Sequence, residues 1–221
     1  MAVLTGLVNW FGNFPARGDE TKREGIEWCD VWMTHGNEQA LPRVLLIGDS
    51  VTRAYYGQVE KKLEGKAYVG RLATSKCLGD PALLEEITTV LKQYHFDVIH
   101  FNNGLHGWGY SEEEYAKAFP DLVATIQHGA PEAKLIWATT TPVREGKELK
   151  LAAQTERVRA RNKIALANCA ERKIPVDDLF GLVVEHPEYS SADGVHASAT
   201  GITAEAAQVV EVIERRLKEA K

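Results

Sequence analysis

The sequence predicts a three-layer α/β/α sandwich around a five-stranded parallel sheet. Three observations carry that prediction: strand-like and helix-like stretches alternate from Arg43 onward, the strand-like stretches are short apolar runs, and turn or cap residues separate them. Alternation at this spacing implies right-handed crossovers, and therefore a parallel sheet covered by helices on both faces. The pattern predicts strands at about 43–48, 67–72, 97–102, 134–139 and 174–177, and helices at about 52–64, 80–94, 111–128, 149–172 and 199–218.

Residues 1–40 are the least regular part and read as an arm packed on a domain formed by residues 41–221. The arm holds Trp10, Trp28 and Trp32, three of the five tryptophans, with a polar run from Arg17 to Glu24 between the first two. Aromatic residues with weak periodicity fill a groove in the core or wall a binding site, and core filling is the commoner use. The first strand, Val44 to Ile47, is a β-branched apolar run of the kind buried on both faces, preceded by Pro42 and stopped by Gly48-Asp49-Ser50. Pro81 suits a first helical turn. Ser111 with Glu114 spells a capping box, Gly129 sits where that helix should stop, and Pro120 should kink or split it. The longest candidate loop, Pro187 to Ala197, lies just before the last helix.

Composition narrows the function classes. A chain of 221 residues that is 44% hydrophobic supports one well-buried domain. The net charge of −5, from 26 basic and 31 acidic residues without a basic run, argues against nucleic acid as a partner. Cys29, Cys77 and Cys169 are too few and too scattered for a disulfide framework or a zinc site. Met1 to Phe11 lacks a basic n-region and no 18-residue apolar run occurs, so neither a secretory signal nor a membrane span is expected; the native compartment and oligomeric state stay open. Gly104, Gly107 and Gly109 lack dinucleotide-binding spacing. His95, His100 and His106 flank a strand rather than share a helix face, so no metal and no cofactor are expected.

Two stretches carry candidate chemistry. Ser50 falls on a strand-to-helix turn, where Gly48 permits a tight backbone and the helix start offers unpaired N–H donors; it either caps the helix or acts as a nucleophile. Far along the chain, Asp193-Gly-Val-His196 puts an acid three residues before a histidine, so the carboxylate can hold one ring nitrogen while the other points outward. Loops at the carboxyl ends of parallel strands share one crevice, which can bring this pair to Ser50.

Together, Gly48-Asp49-Ser50 and Asp193–His196 resemble the first and last motif blocks of the SGNH (GDSL-type) hydrolase superfamily, over residues 43 to 218. The resemblance implies a flavodoxin-like sandwich in which Ser50 is the nucleophile, His196 the general base and Asp193 the residue that orients it. It also implies oxyanion donors: the Ser50 N–H, an asparagine after a later strand, and a backbone N–H in a second loop. Asn102 in Asn102-Asn103-Gly104-Leu105-His106 fits the asparagine, with Asn103 as the alternative. The second loop, Ala73 to Asp80, lacks the usual glycine, which leaves the Ser75 N–H as the substitute and Gly79 after it. His106 and Trp108 follow the same strand end and suit a pocket wall, while Arg53 suits solvent.

The implied activity is ester hydrolysis on a small-molecule or polysaccharide ester. The Asn-x-Gly-Leu-His form and the tryptophan-bearing arm resemble carbohydrate-active members, which favours a carbohydrate O-acetylesterase. A lysophospholipase or thioesterase with the same three residues is the competitor, and a sugar-binding module without catalysis is the reading from another class.

Overall fold

The computed structural model describes residues 21–219, so Trp10 and the first half of the expected arm lie outside it. Within that span the strands are β1 (Cys29–Met33), β2 (Arg43–Gly48), β3 (Tyr68–Thr74), β4 (Val98–Phe101), β5 (Lys134–Ala138), β6 (Arg144–Glu145), β7 (Lys150–Leu151) and β8 (Val176–Asp177). The helices are α1 (Ser50–Lys62), α2 (Pro81–Leu91), α3 (Glu112–Gly129), α4 (Gln154–Glu171), α5 (Leu179–Val184) and α6 (Ala199–Lys218).

The central sheet has the order β1-β3-β2-β4-β5-β8. Five of its strands are parallel, as the alternation predicts, and β1 adds a sixth, antiparallel edge strand from within the expected arm. Its register runs Cys29 opposite Thr74 to Met33 opposite Gly70. Strand β2 explains its own composition. Val44 and Leu46 pack with α1 and α6 residues such as Tyr55, Val59, Val209 and Ile213, whereas Leu45 and Ile47 pack with Leu83, Ile87, Phe119 and Trp137 on the opposite face. A strand buried on both faces cannot alternate polar and apolar residues, hence the continuous run.

Helix boundaries follow their chemistry. Ser111 and Glu114 exchange both bonds of a capping box, and Asp80 caps α2 with Pro81 at its first position. Helix α3 runs through Pro120 unbroken, so the expected split does not occur. Gly129 ends α3 for a packing reason: a Cβ there would lie 2.7 Å from a Leu91 methyl carbon.

Three elements differ from the sequence expectation. The stretch read as the start of a helix at 149 is the β6–β7 hairpin, and α4 begins only at Gln154. Helix α5, capped by Asp178, occupies a segment to which the sequence pattern assigns no element. Helix α1 starts at Ser50, because Asp49 takes the cap position.

One buried cation organises the loop after β4. Arg161 of α4, 1% exposed, donates from Nη1 to the carbonyls of Gly104 and His106 at 3.0 and 2.8 Å and from Nη2 to Gly107 at 2.9 Å. Arg161→Ala leaves the Gly104 and His106 carbonyls without a donor, Gly107 keeping only the Tyr110 N–H, and is expected to lower stability by roughly 2–4 kcal/mol in urea denaturation. A change below ~0.5 kcal/mol would show that the loop does not depend on it.

Candidate active site

Ser50 is the first residue of α1, at the carboxyl end of β2. Asp49 accepts from the Val51 N–H at 2.9 Å and so performs the capping that the sequence left open to Ser50. As the first helical residue, Ser50 has an N–H without an intrahelical acceptor. Gly48 is required by contact: a Cβ there would sit 2.1 Å from Thr52 Oγ1. Thr52 is itself buried and bonded to the Tyr55 hydroxyl at 3.1 Å.

The loop before α6 reaches the same point. His196 Nε2 lies 2.9 Å from Ser50 Oγ, and His196 Nδ1 lies 2.7 Å from Asp193 Oδ2. Asp193 Oδ1 accepts from Ser191 Oγ, Val195 N and His196 N, each within 2.9 Å. Partial burial disfavours the charged carboxyl, but the His196 ring, these two backbone donors and the Ser191 hydroxyl outweigh it and hold Asp193 well below the usual carboxylate range. A fixed carboxylate on Nδ1 keeps the ring proton there and leaves Nε2 to accept from the serine.

Gly194 sets this loop's shape. It has φ +74, and a Cβ on it would fall 2.1 Å from the Arg144 carbonyl oxygen. The contact is reciprocal, since the Arg144 N–H donates to the Gly194 carbonyl at 2.7 Å. The β6–β7 hairpin that the sequence does not reveal is therefore the shoulder against which the Asp193–His196 loop rests. A bridge between Ser190 and Ala197 closes the loop's base.

The other expected site residues divide. His106 and Trp108 line a cavity of about 350 Å³ with Ser50, His196, Val195 and the 22–24 segment. Ser75 is not available as an oxyanion donor: its N–H bonds the Trp28 carbonyl at 3.0 Å and its Oγ accepts from the Trp28 N–H at 2.8 Å. The approach of Trp28, just before β1, uses that amide. Asn102 also departs from expectation, since its Nδ2 donates to the Ala138 carbonyl at 2.7 Å and to Thr140 Oγ1 at 3.0 Å. Asn103 is buried, with Oδ1 on the Leu78 N–H and Nδ2 on the Lys76 carbonyl. Asn102 must rotate its amide to serve an oxyanion; the Ser50 N–H needs no such change. Arg53 is exposed but lies over the Trp28 ring, 4.7 Å from its centroid.

Sequence reasoning did not single out Glu24, which accepts from His106 Nδ1 at 2.9 Å and from the Gly107 N–H at 3.0 Å. Nor did it find the buried acids behind the serine. Glu205 of α6 is 1% exposed, and burial together with the Asp49 and Asp177 carboxylates pushes it up to about 8. Burial also raises Asp49, against the pull of the His106 and His196 rings. Asp177 is bonded to His100 Nε2 at 2.9 Å and to Gln208 Nε2 at 2.7 Å. No group of three or more His, Cys, Asp or Glu arranged to hold a metal occurs among the described residues.

The architecture has close counterparts among solved structures. A GDSL-like lipase from Bacteroides thetaiotaomicron superposes with a TM-score of 0.62 at 17% identity, covering 78% of this chain and 88% of that one. An aryl esterase from M. smegmatis gives 0.65 at 13% identity over 79% and 99%, and a carbohydrate esterase family 3 protein from Talaromyces cellulolyticus gives 0.63 at 14% over 81% and 100%. The fold is that of the SGNH hydrolases. Strand β1 makes the strand count differ slightly from the five expected. No protein-family model matches the sequence, and no curated protein does. No helix among the described residues is long and apolar enough to cross a membrane.

Glu205 yields a pH prediction. Its carboxyl, held at about 8 in the fold against an ordinary 4.5, keeps a proton that the unfolded chain releases. Stability should therefore be greatest below about 4.5 for this group and fall as pH rises towards 8, with Asp49 acting in the same direction. Glu205→Gln removes the ionisation, so unfolding free energies from urea titrations at pH 5 and pH 9 should differ by about 2–4 kcal/mol less than in the wild type. Equal divergence in both proteins contradicts the assignment.

Proposed function

We propose that this protein is a serine esterase that removes short acyl groups, acetyl above all, from carbohydrate hydroxyls. The observation that carries the reading is the continuous chain Ser50 Oγ, His196 Nε2, His196 Nδ1, Asp193 Oδ2, with contacts of 2.9 and 2.7 Å, opening on one cavity. A solvated serine is a poor nucleophile; a neighbouring imidazole of fixed tautomer makes it a good one.

In this mechanism Ser50 Oγ attacks the acyl carbon as its proton passes to His196 Nε2. Asp193 stabilises the imidazolium. The negative oxygen of the tetrahedral intermediate meets the Ser50 N–H at the positive start of α1, and the Asn102 amide once it turns from Thr140. His196 returns the proton to the leaving alcohol, which leaves an acyl-serine. Water, deprotonated by the same nitrogen, attacks the acyl carbon, and the proton goes back to Ser50 as the acid departs.

The size of the site favours a small acyl group. A cavity of about 350 Å³ stands at the lower end of ligand pockets, and its described walls set Lys22, Arg23, Glu24 and His106 beside Leu105, Trp108 and Val195. That supports acetyl over the long acyl chain of a lysophospholipase. Trp108 adds an aromatic side chain to the same wall, with the Arg161 and Arg157 guanidiniums 4.8 and 5.4 Å from its ring centroid. The likeness to a carbohydrate esterase family 3 fold is compatible with this substrate class.

Hydrolysis of p-nitrophenyl acetate and of the octanoate tests the reading. The wild type should prefer acetate, Ser50→Ala should lose at least about 10⁴ in kcat, and Asp193→Asn about 10³–10⁴. A preference for octanoate would move the assignment to lipid esters. Equal inactivity of wild type and Ser50→Ala on both esters would favour a binding module.

A further inference from the structure

The cavity beside Ser50 has a polar wall that no step of the hydrolysis uses. His106 lines it together with Ser50 and His196, and its side chain is 18% exposed. The ring is fixed from several sides. Glu24 Oε2 lies 2.9 Å from Nδ1, the other Glu24 oxygen accepts from the Gly107 N–H at 3.0 Å, and the Trp28 ring meets the imidazole edge-on at 6.1 Å. Behind it, Arg161 holds the His106 carbonyl at 2.8 Å.

This geometry decides what the ring can offer. A carboxylate only accepts, so the contact with Glu24 puts the proton of the neutral imidazole on Nδ1 and leaves a lone pair on Nε2. No donor among the described residues meets Nε2. An acceptor on the wall of the cavity that Ser50 also lines gives no help to a developing oxyanion; it pairs with a donor on the substrate. Esters of simple alcohols bring no such donor, whereas esters of polyols carry a hydroxyl on the neighbouring carbon. The other charged groups on this wall do not compete for the role. Lys22 is paired with Glu114 at 2.7 Å and Arg23 with Asp80 at 3.1 Å, so the wall is not a bare cationic site for an acidic substrate.

We propose that Glu24 and His106 form a hydroxyl-reading subsite, in which His106 Nε2 accepts from the hydroxyl adjacent to the scissile ester and so selects acetylated polyols such as sugars. His106 is the substrate contact and Glu24 positions it. The subsite rests on the esterase reading of Ser50 and deepens it by naming how the alcohol half is recognised.

The test compares kcat/KM for ethylene glycol monoacetate with that for its methyl ether, which keeps the skeleton and removes the donor. The wild type should favour the free hydroxyl by about tenfold, the worth of one hydrogen bond. His106→Phe should bring the ratio near one, and Glu24→Ala, which releases the tautomer, should lower it part of the way. Each ratio is taken within a single protein sample, so loss of folded enzyme does not move it. A wild-type ratio near one, or a His106→Phe ratio as large as the wild type's, overturns the subsite while leaving the esterase intact. Absence of turnover of either ester by the wild type overturns both.

Discussion

The 2.9 Å contact between His196 Nε2 and Ser50 Oγ joins residues 146 positions apart, and much of the molecule exists to maintain it. Ser50 is fixed by the end of β2 and the start of α1, His196 by the loop that leads into α6. Helices α1 and α6 pack on the same face of the sheet through Tyr55, Val59, Val209 and Ile213, so the apolar layer sets the distance between the two polar groups. Packed interiors resist small displacements, which lets a buried layer hold a surface contact to tenths of an ångström. The loop adds local restraint through Gly194, whose backbone lies against Arg144 too closely for any side chain.

Beneath this contact the protein accepts an electrostatic cost. Asp49, Glu205 and Asp177 are buried together behind the serine, with Asp49 Oδ2 and Glu205 Oε2 lacking hydrogen-bond partners. Asp49 stabilises the start of α1 as its cap, accepting from the Val51 N–H. A neutral Glu205 avoids adding a second full charge there. The arrangement couples α6 to the start of α1 through protonation as well as packing.

The parallel core and the meeting of Ser50, Asp193 and His196 were legible because each rests on local pattern: continuous apolar strands, cap residues, and an acid and a histidine three residues apart. What escaped the sequence depends on partners distant in the chain. Strand β1 shows no alternation of buried and exposed residues, because it is an edge strand whose pairing with β3 is made by backbone groups. That same approach spends the Ser75 amide, which no spacing rule could reveal. The β6–β7 hairpin has two residues per strand, too few for a period. Glu24 lies in a polar run and gains its role only because the chain carries it 82 positions away to His106.

The account stands or falls on Ser50 as a nucleophile activated by His196. Intact-protein and peptide mass spectrometry after treatment with diethyl p-nitrophenyl phosphate measures this directly, because a phosphoryl adduct forms on an activated serine hydroxyl and persists. The account predicts one diethylphosphoryl group per chain, on Ser50, with formation slowed at least about 10³-fold in His196→Ala. An unmodified protein, an adduct on another residue, or equal labelling of His196→Ala would contradict it.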